Sequence, residues 1–247
     1  MKIAEPIDLS AQNINATGLP RTMLRQAWAR FGARPAYVSA AVKWTYRDLA
    51  DHSLRLAQLM ARNGVRPGTP VFLWTGDADW LLIARLAGLE CGATLAVFLP
   101  DTPLATVAGA AAMFKPALVL YRPELADAVA RLREGNRALH TVAIEDAERM
   151  YAGIPAVHCD AEIDSATPTG IGFTSGTTGA PKVLSHGHAS QFASLQMMLR
   201  VMVRSTDGTP ERVLVGIPMM GAGSGMVLPT LADGGCIIRP PAHDART

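Results

Sequence analysis

GFTSGTTGAPK, residues 172–182, is the stretch around which the rest of the chain is read. Its glycines allow close backbone approach and the unusual dihedrals of a tight loop. Thr174, Ser175, Thr177 and Thr178 offer hydroxyls to the space that the backbone amides face, Gly176 and Gly179 shape the turn, and Lys182 adds a mobile ammonium. Successive amides, hydroxyls and one cation make a cradle suited to a polyphosphate. The same composition would serve a solvated linker. The flanks favour the cradle: strand-like GIGFT (170–174) precedes it, and Phe192, Leu195, Met198, Leu199 and Met202 follow at helical spacing.

Spacing removes several named loops. A nucleoside-triphosphatase P-loop needs Gly-Lys-Ser/Thr, whereas Lys182 follows Ala180 and Pro181. The glycines at 221, 223 and 225 follow a strand-like run, but the third falls one residue early for a dinucleotide fingerprint. No serine stands in a GxSxG elbow. His186 and His188 lie near each other at the expected helix start, without the Cys or carboxylate cluster that would complete a metal site, and read as structural or solvent-facing.

Upstream, Met23, Leu24, Ala27, Trp28 and Phe31 mark one face of a helix over 21–31. WTYRDL (44–49) opens a second helix, with Thr45 placed to cap it, Asp48 three residues on, and Gly64 as a left-handed stop. Strand-like VFLW (71–74), TLAVFL (94–99), ALVLY (117–121) and TVAI (141–144) alternate with helical segments near 79–89, 103–114 and 123–133. That alternation predicts an α/β fold with mainly parallel sheets flanked by helices. Residues 152–169 break the rhythm and read as a connection. A second α/β unit follows: strand VLVGIP (213–218), loop 219–225, helix MVLPTLADG (226–234) and strand CIIR (236–239).

Composition bounds the function. Of 247 residues, 49% are hydrophobic and 18% charged, enough for a sizeable core. A net charge of +2 and 6% aromatic residues argue against nucleic acid as a partner. The start, MKIAEPIDLS, lacks a signal-type apolar run, and the apolar stretch 81–100 is interrupted by Arg85 and Glu90, so no transmembrane segment is expected. Cys91, Cys159 and Cys236 read as buried thiols of a reducing, cytoplasmic compartment.

FTSGTTGAPK resembles the phosphate-binding signature of the adenylate-forming superfamily: acyl-CoA synthetases, luciferases and peptide-synthetase adenylation domains. Nine residues match its pattern without a gap: Phe173, Thr174, Ser175, Gly176, Thr177, Thr178, Gly179, Pro181 and Lys182. WTYRDL, GVRPGTPVFLW (64–74), LAGLECGATLAVFLP (86–100) and PMMGAGSGMVLPTLADGGCII (218–238) are similar to further family segments, so the likeness runs from about residue 20 onward. Two departures stand out: Val183 replaces a frequent glycine, and Gly221 stands where many fatty-acid and aryl enzymes carry a ring beside the substrate carboxylate. His188 matches a family histidine.

The resemblance implies ATP-dependent activation of a carboxylic acid, a fatty or aryl acid, to acyl-AMP, then transfer to coenzyme A. ATP, Mg2+ and CoA are the implied cofactors. Thr174, Ser175, Gly176, Thr177, Thr178, Gly179 and Lys182 would hold the phosphates, and Met220, Gly221 and Gly223 would line the acyl pocket. No catalytic residue and no metal ligand is assigned. The expected organisation is a partial AMP-binding domain over 1–247, the front portion of the family's large N-terminal domain, with the small C-terminal domain absent and the chain alone unable to complete the reaction. The competing readings are a truncated, non-catalytic nucleotide-binding or interaction module and a dinucleotide-binding oxidoreductase.

Overall fold

The computed structural model describes residues 18–174, 182–202, 205, 208–216 and 225–241. In chain order the elements begin with α1 (Pro20–Phe31), β1 (Pro35–Val38), β2 (Lys43–Thr45), α2 (Tyr46–Arg62), β3 (Pro70–Trp74) and α3 (Ala78–Cys91). There follow β4 (Thr94–Phe98), α4 (Leu104–Phe114), β5 (Leu118–Tyr121), α5 (Ala126–Glu134), β6 (His140–Ala143) and α6 (Ile144–Ala152). The chain continues through β7 (Pro168–Thr174), β8 (Lys182–Gly187), α7 (His188–Val201), β9 (Arg212–Leu214), α8 (Val227–Ala232) and β10 (Cys236–Ile238). They divide into two compact units, residues 52–187 and residues 1–51 with 188–247.

The 52–187 unit holds a six-stranded sheet in the order β6-β5-β3-β4-β7-β8. β3 through β7 run parallel, and β8 turns back antiparallel to β7. Val71, Phe72, Leu73 and Trp74 on β3, and Leu118, Val119 and Leu120 on β5, are all buried. A strand covered on both faces must read as an unbroken apolar run, which is how these segments look in the sequence. The core gathers Phe72, Trp74, Ala96, Phe98 and Val119, with the Phe72 and Phe98 rings 5.0 Å apart.

Helix α3 begins on Asp77, whose carboxylate accepts from the Asp79 and Trp80 amides, and ends on Gly92 at φ +79°. A Cβ at Gly92 would lie 3.1 Å from the Pro67 Cα, so this stop needs glycine for space as well as for backbone sign. The irregular connection after α6 is fastened rather than loose. Glu90, 5% exposed, accepts from the Cys159 amide at 2.8 Å and faces His158 Nδ1 at 3.3 Å. Arg55 donates to the carbonyls of Ala152 and Ile154.

The other unit holds a four-stranded sheet, β2-β1-β10-β9, in which β1, β10 and β9 run parallel and β2 is antiparallel to β1. The expected cap of α2 is present in reciprocal form: the Asp48 amide donates to Thr45 Oγ1 at 3.2 Å, and the Thr45 amide to Asp48 Oδ2 at 2.9 Å. Next to it, the Tyr46 phenol reaches the carbonyls of Gly235 at 2.7 Å and Leu231 at 3.0 Å, tying α2 to the turn between α8 and β10. Gly64 closes α2 at φ +83°, as its position suggested.

Several elements differ from the sequence reading. Strands β1 and β2 were not expected, because PAYV and KWT are short and carry little alternation; they exist because β10 pairs with β1 from a distance of some two hundred residues. Helix α6 has no counterpart in the sequence reading, which ends a strand at Ile144 and assigns nothing over 145–151, although Ile144, Ala147 and Tyr151 form its buried face. The run at 213–218 is a strand only over Arg212–Leu214, and residues 217 and 218 lie outside the described residues. Cys91, Cys159 and Cys236 are buried free thiols, and desolvation pushes the Cys91 thiol up to about 12. Among the described residues no helix is long and apolar enough to cross a membrane.

Candidate functional site

The stretch 172–182 joins two paired strands, not a strand and a helix as its flanks suggested. β7 and β8 form an antiparallel hairpin whose register sets Phe173 opposite Val183 and Thr174 opposite Lys182. The backbone ends of the glycine-rich stretch are therefore held side by side. Ser175, Gly176, Thr177, Thr178 and Gly179 lie outside the described residues, as do Met220, Gly221 and Gly223 of the expected acyl pocket. Thr174 and Lys182 are placed by their backbone alone, as the last residue of β7 and the first of β8.

The hairpin is anchored by contacts that the motif did not reveal. The ring of Phe173 lies 5.6 Å from Phe98 and 6.0 Å from Phe114, so the motif's aromatic residue is a foot planted on the sheet core. At the opposite end of β7, Thr94 Oγ1 donates to the Pro168 carbonyl at 2.8 Å, and Thr169 Oγ1 donates across the hairpin to the His186 carbonyl at 2.9 Å. Both threonines are buried. Nothing in the sequence singles out these residues: Thr94 and Phe98 sit in an ordinary strand pattern, and Thr169 falls at the end of the stretch read as a connection.

Topology gives the site its direction. Because β3 to β7 are parallel, β7 ends at Thr174 on the same carboxyl side of the sheet as the ends of β3 and β5. Open parallel sheets bind ligands at that end, outside the strands and near the point where strand order reverses. Here the order reverses around β3, with β4 on one side and β5 on the other. Beside that point Arg122, just after β5, donates to Asp77 Oδ2, just after β3, at 3.3 Å and to Glu124 of its own turn at 2.9 Å, so the turns after β3 and β5 are cross-linked.

The two histidines separate. His186 is exposed on β8, away from the helix start expected for it, and His188 opens α7 fully buried. Burial, with the nearby Arg21 charge, lowers the His188 pKa to about 4, and neither ring nitrogen has a hydrogen-bond partner among the described residues. Among the described residues no group of three His, Cys, Asp or Glu side chains is arranged to hold a metal ion.

A family model described as AMP-binding enzyme matches residues 24–247. The chain belongs to the AMP-binding enzymes. It corresponds to the N-terminal part of adenylate-forming enzymes, as the sequence resemblance implied, and the oxidoreductase alternative falls away with that match. Feruloyl-CoA synthase of an Amycolatopsis species is 31% identical over 215 residues, covering 81% of this AMP-binding chain and 39% of the relative. Nonribosomal peptide synthetase 5 of Gibberella zeae is 30% identical over 206 residues, covering 82% of the chain and 2% of that protein. The solved N-terminal domain of FACL13 from Mycobacterium tuberculosis shares the fold at a TM-score of 0.81 and 22% identity, over 92% of this chain and 58% of that one. The chain thus spans well under two thirds of the length of each of these relatives.

Proposed function

We propose that this chain supplies the phosphate-binding part of an enzyme that activates a carboxylic acid with ATP and passes the acyl group to coenzyme A. The observation that carries the reading is the TSGTTG stretch, closed by the Thr174–Lys182 pairing at the carboxyl end of a parallel sheet. In such a reaction a carboxylate oxygen attacks the α-phosphorus of ATP, the bond to the bridging oxygen breaks, and pyrophosphate departs with the developing charge. Backbone amides of the stretch, the hydroxyls of Thr174, Ser175, Thr177 and Thr178, and the Lys182 ammonium would lower that barrier by meeting the developing charge. Gly176 and Gly179 let the backbone come close. The donor set suits phosphate oxygens rather than a bare cation, so Mg2+ would arrive on the nucleotide and supply further charge neutralisation there.

Met220, Gly221 and Gly223 would contact the acid, and a glycine at 221 leaves room where many relatives of this kind place a ring. A fatty or aryl acid is supported by the names of two relatives, feruloyl-CoA synthase and the medium/long-chain fatty-acid ligase FadD6 of Mycobacterium tuberculosis. The peptide-synthetase relatives favour a second reading, with a carrier-protein thiol as acceptor. The buried thiols fit a reducing, cytoplasmic setting.

Acid-dependent exchange of labelled pyrophosphate into ATP, measured on the enzyme containing this chain, tests the reading. Lys182→Ala should slow exchange by about a hundredfold, and an undiminished rate would remove the phosphate role. Release of AMP that depends on CoA separates the two acceptors.

A further inference from the structure

Strand β7 approaches the glycine-rich stretch over a bulge. Pro168 stands opposite Gly187 and Gly170 opposite His186, so β7 takes two steps where β8 takes one, and Thr169 is the extra residue. From Gly170 onward the pairing is unbroken to Thr174 opposite Lys182. Bulges of this kind are common beside active sites, because one inserted residue resets the pairing beyond it.

The bulge is held in place by its neighbours. Thr169, 7% exposed, donates its hydroxyl across the hairpin to the His186 carbonyl at 2.9 Å. One residue earlier, the Pro168 carbonyl accepts from Thr94 Oγ1 of β4 at 2.8 Å. On β8, a Cβ at Gly187 would stand 3.1 Å from the Ala166 carbonyl oxygen, so backbone meets backbone at this end of the hairpin.

The alternative pairing is a flush ladder with Thr169 itself opposite His186. It would run on with Gly170 opposite Ser185 and Phe173 opposite Lys182, one residue out of the observed register. Such a slip turns each β8 side chain to the other face and opens the loop a residue early. In a flush ladder the threonine side chain stands out of the sheet plane, away from the opposite carbonyl. The Thr169–His186 bond therefore belongs to the bulged register and favours it.

We propose that Thr169 is a positioning residue for the phosphate loop, its hydroxyl holding the register in which Thr174 pairs with Lys182 at the loop's mouth. This role presupposes that TSGTTG is the phosphate site, because the register matters to ATP only through that loop.

Thr169→Val keeps the shape and removes the donor, whereas Thr169→Ser keeps the donor. In pyrophosphate–ATP exchange by the enzyme containing this chain, the valine variant should raise the KM for ATP about fivefold. Its kcat at saturating ATP should change by less than about twofold, since bound nucleotide draws the chain back into the competent register. Serine should return the KM close to its original value. Val129→Ala removes buried methyl groups of α5 from the core of the same unit, and serves as a destabilised control with unchanged KM. A KM for Thr169→Val equal to that of the control, a serine variant as impaired as valine, or a loss confined to kcat would each overturn the role of Thr169. Lys182→Ala separates this from the wider reading. If that variant exchanges undiminished, the phosphate assignment itself falls; if it slows while Thr169→Val does not change, only the positioning role is lost.

Discussion

The ring of Phe173 lies 5.6 Å from that of Phe98, with the two planes inclined by 33°, and this contact fastens the residues just before TSGTTG to the core of the six-stranded sheet. A loop that must present amides to a multiply charged ligand gains from a fixed take-off point, because whatever ordering the scaffold supplies need not come from binding. Phe173→Ala should cost about 1–3 kcal/mol of stability, less than a fully buried phenylalanine because the ring is only partly buried. Phe173→Leu should recover part of that loss. Urea unfolding measures both, and ATP affinity measured on the same variants should fall more for alanine than for leucine.

His188 makes the fold acid-sensitive. Its pKa is lowered to about 4 in the folded chain against 6.5 for a free imidazole. Below pH 6.5 the unfolded chain takes up a proton that the folded chain refuses, so this stabilisation is complete above 6.5 and disappears as the pH falls towards 4. The loss should reach on the order of 3 kcal/mol. His188→Leu should flatten the stability profile between pH 6.5 and 4 relative to its own value at pH 7. Denaturant midpoints taken across that window are the check, and a parallel slope in the variant would exonerate His188.

Tyr46 holds α2 to the end of α8 through one buried hydroxyl shared by two carbonyls. Burial keeps this phenol neutral far into the alkaline range, so it remains a donor at every physiological pH. Tyr46→Phe preserves the ring contacts with Phe31 and Trp28 but removes the donor to the Gly235 carbonyl and one of the donors to the Leu231 carbonyl, which also accepts from the Gly234 amide. The expected cost is about 1–3 kcal/mol. Hydrogen exchange should quicken first at amides 230–236, and uniform acceleration over the whole chain would contradict so local a role.

Glu90 fixes the connection that returns the chain from α6 to β7. Glu90→Ala removes the acceptor for the Cys159 amide and should cost about 1–3 kcal/mol, with faster proteolysis between residues 153 and 167. Glu90→Gln keeps an oxygen in place and should lose less. Equal cleavage rates for the two variants would show that the carboxylate does not hold this segment.

Asp77 performs two tasks at the carboxyl end of the sheet: one oxygen caps α3 and the other accepts from Arg122. Asp77→Ala should therefore cost about 1–2 kcal/mol, whereas Asp77→Ser keeps the cap and loses only the partly exposed ion pair, worth at most about 1 kcal/mol. Thermal unfolding of the two variants separates the terms.

Local patterns determined much of this. The apolar runs VFLW and ALVLY read as inner strands of a covered sheet, Thr45 and Asp48 announced the cap of α2, and the nine-residue match around TSGTTG pointed to the family from the sequence alone. Each of these signals is complete within a few neighbouring residues. What surrounds the loop was a tertiary decision. That residues 182–187 turn back as a strand, that Phe98 supports Phe173, and that β1 pairs with β10 all depend on partners remote in sequence. The same separation explains His188: a histidine at a helix start is polar by composition, and only the packing around it makes it a buried, neutral ring. Periodicity records which face of an element meets other protein, but a strand's partner is chosen by hydrogen bonds and contacts that form only once the chain has folded back on itself.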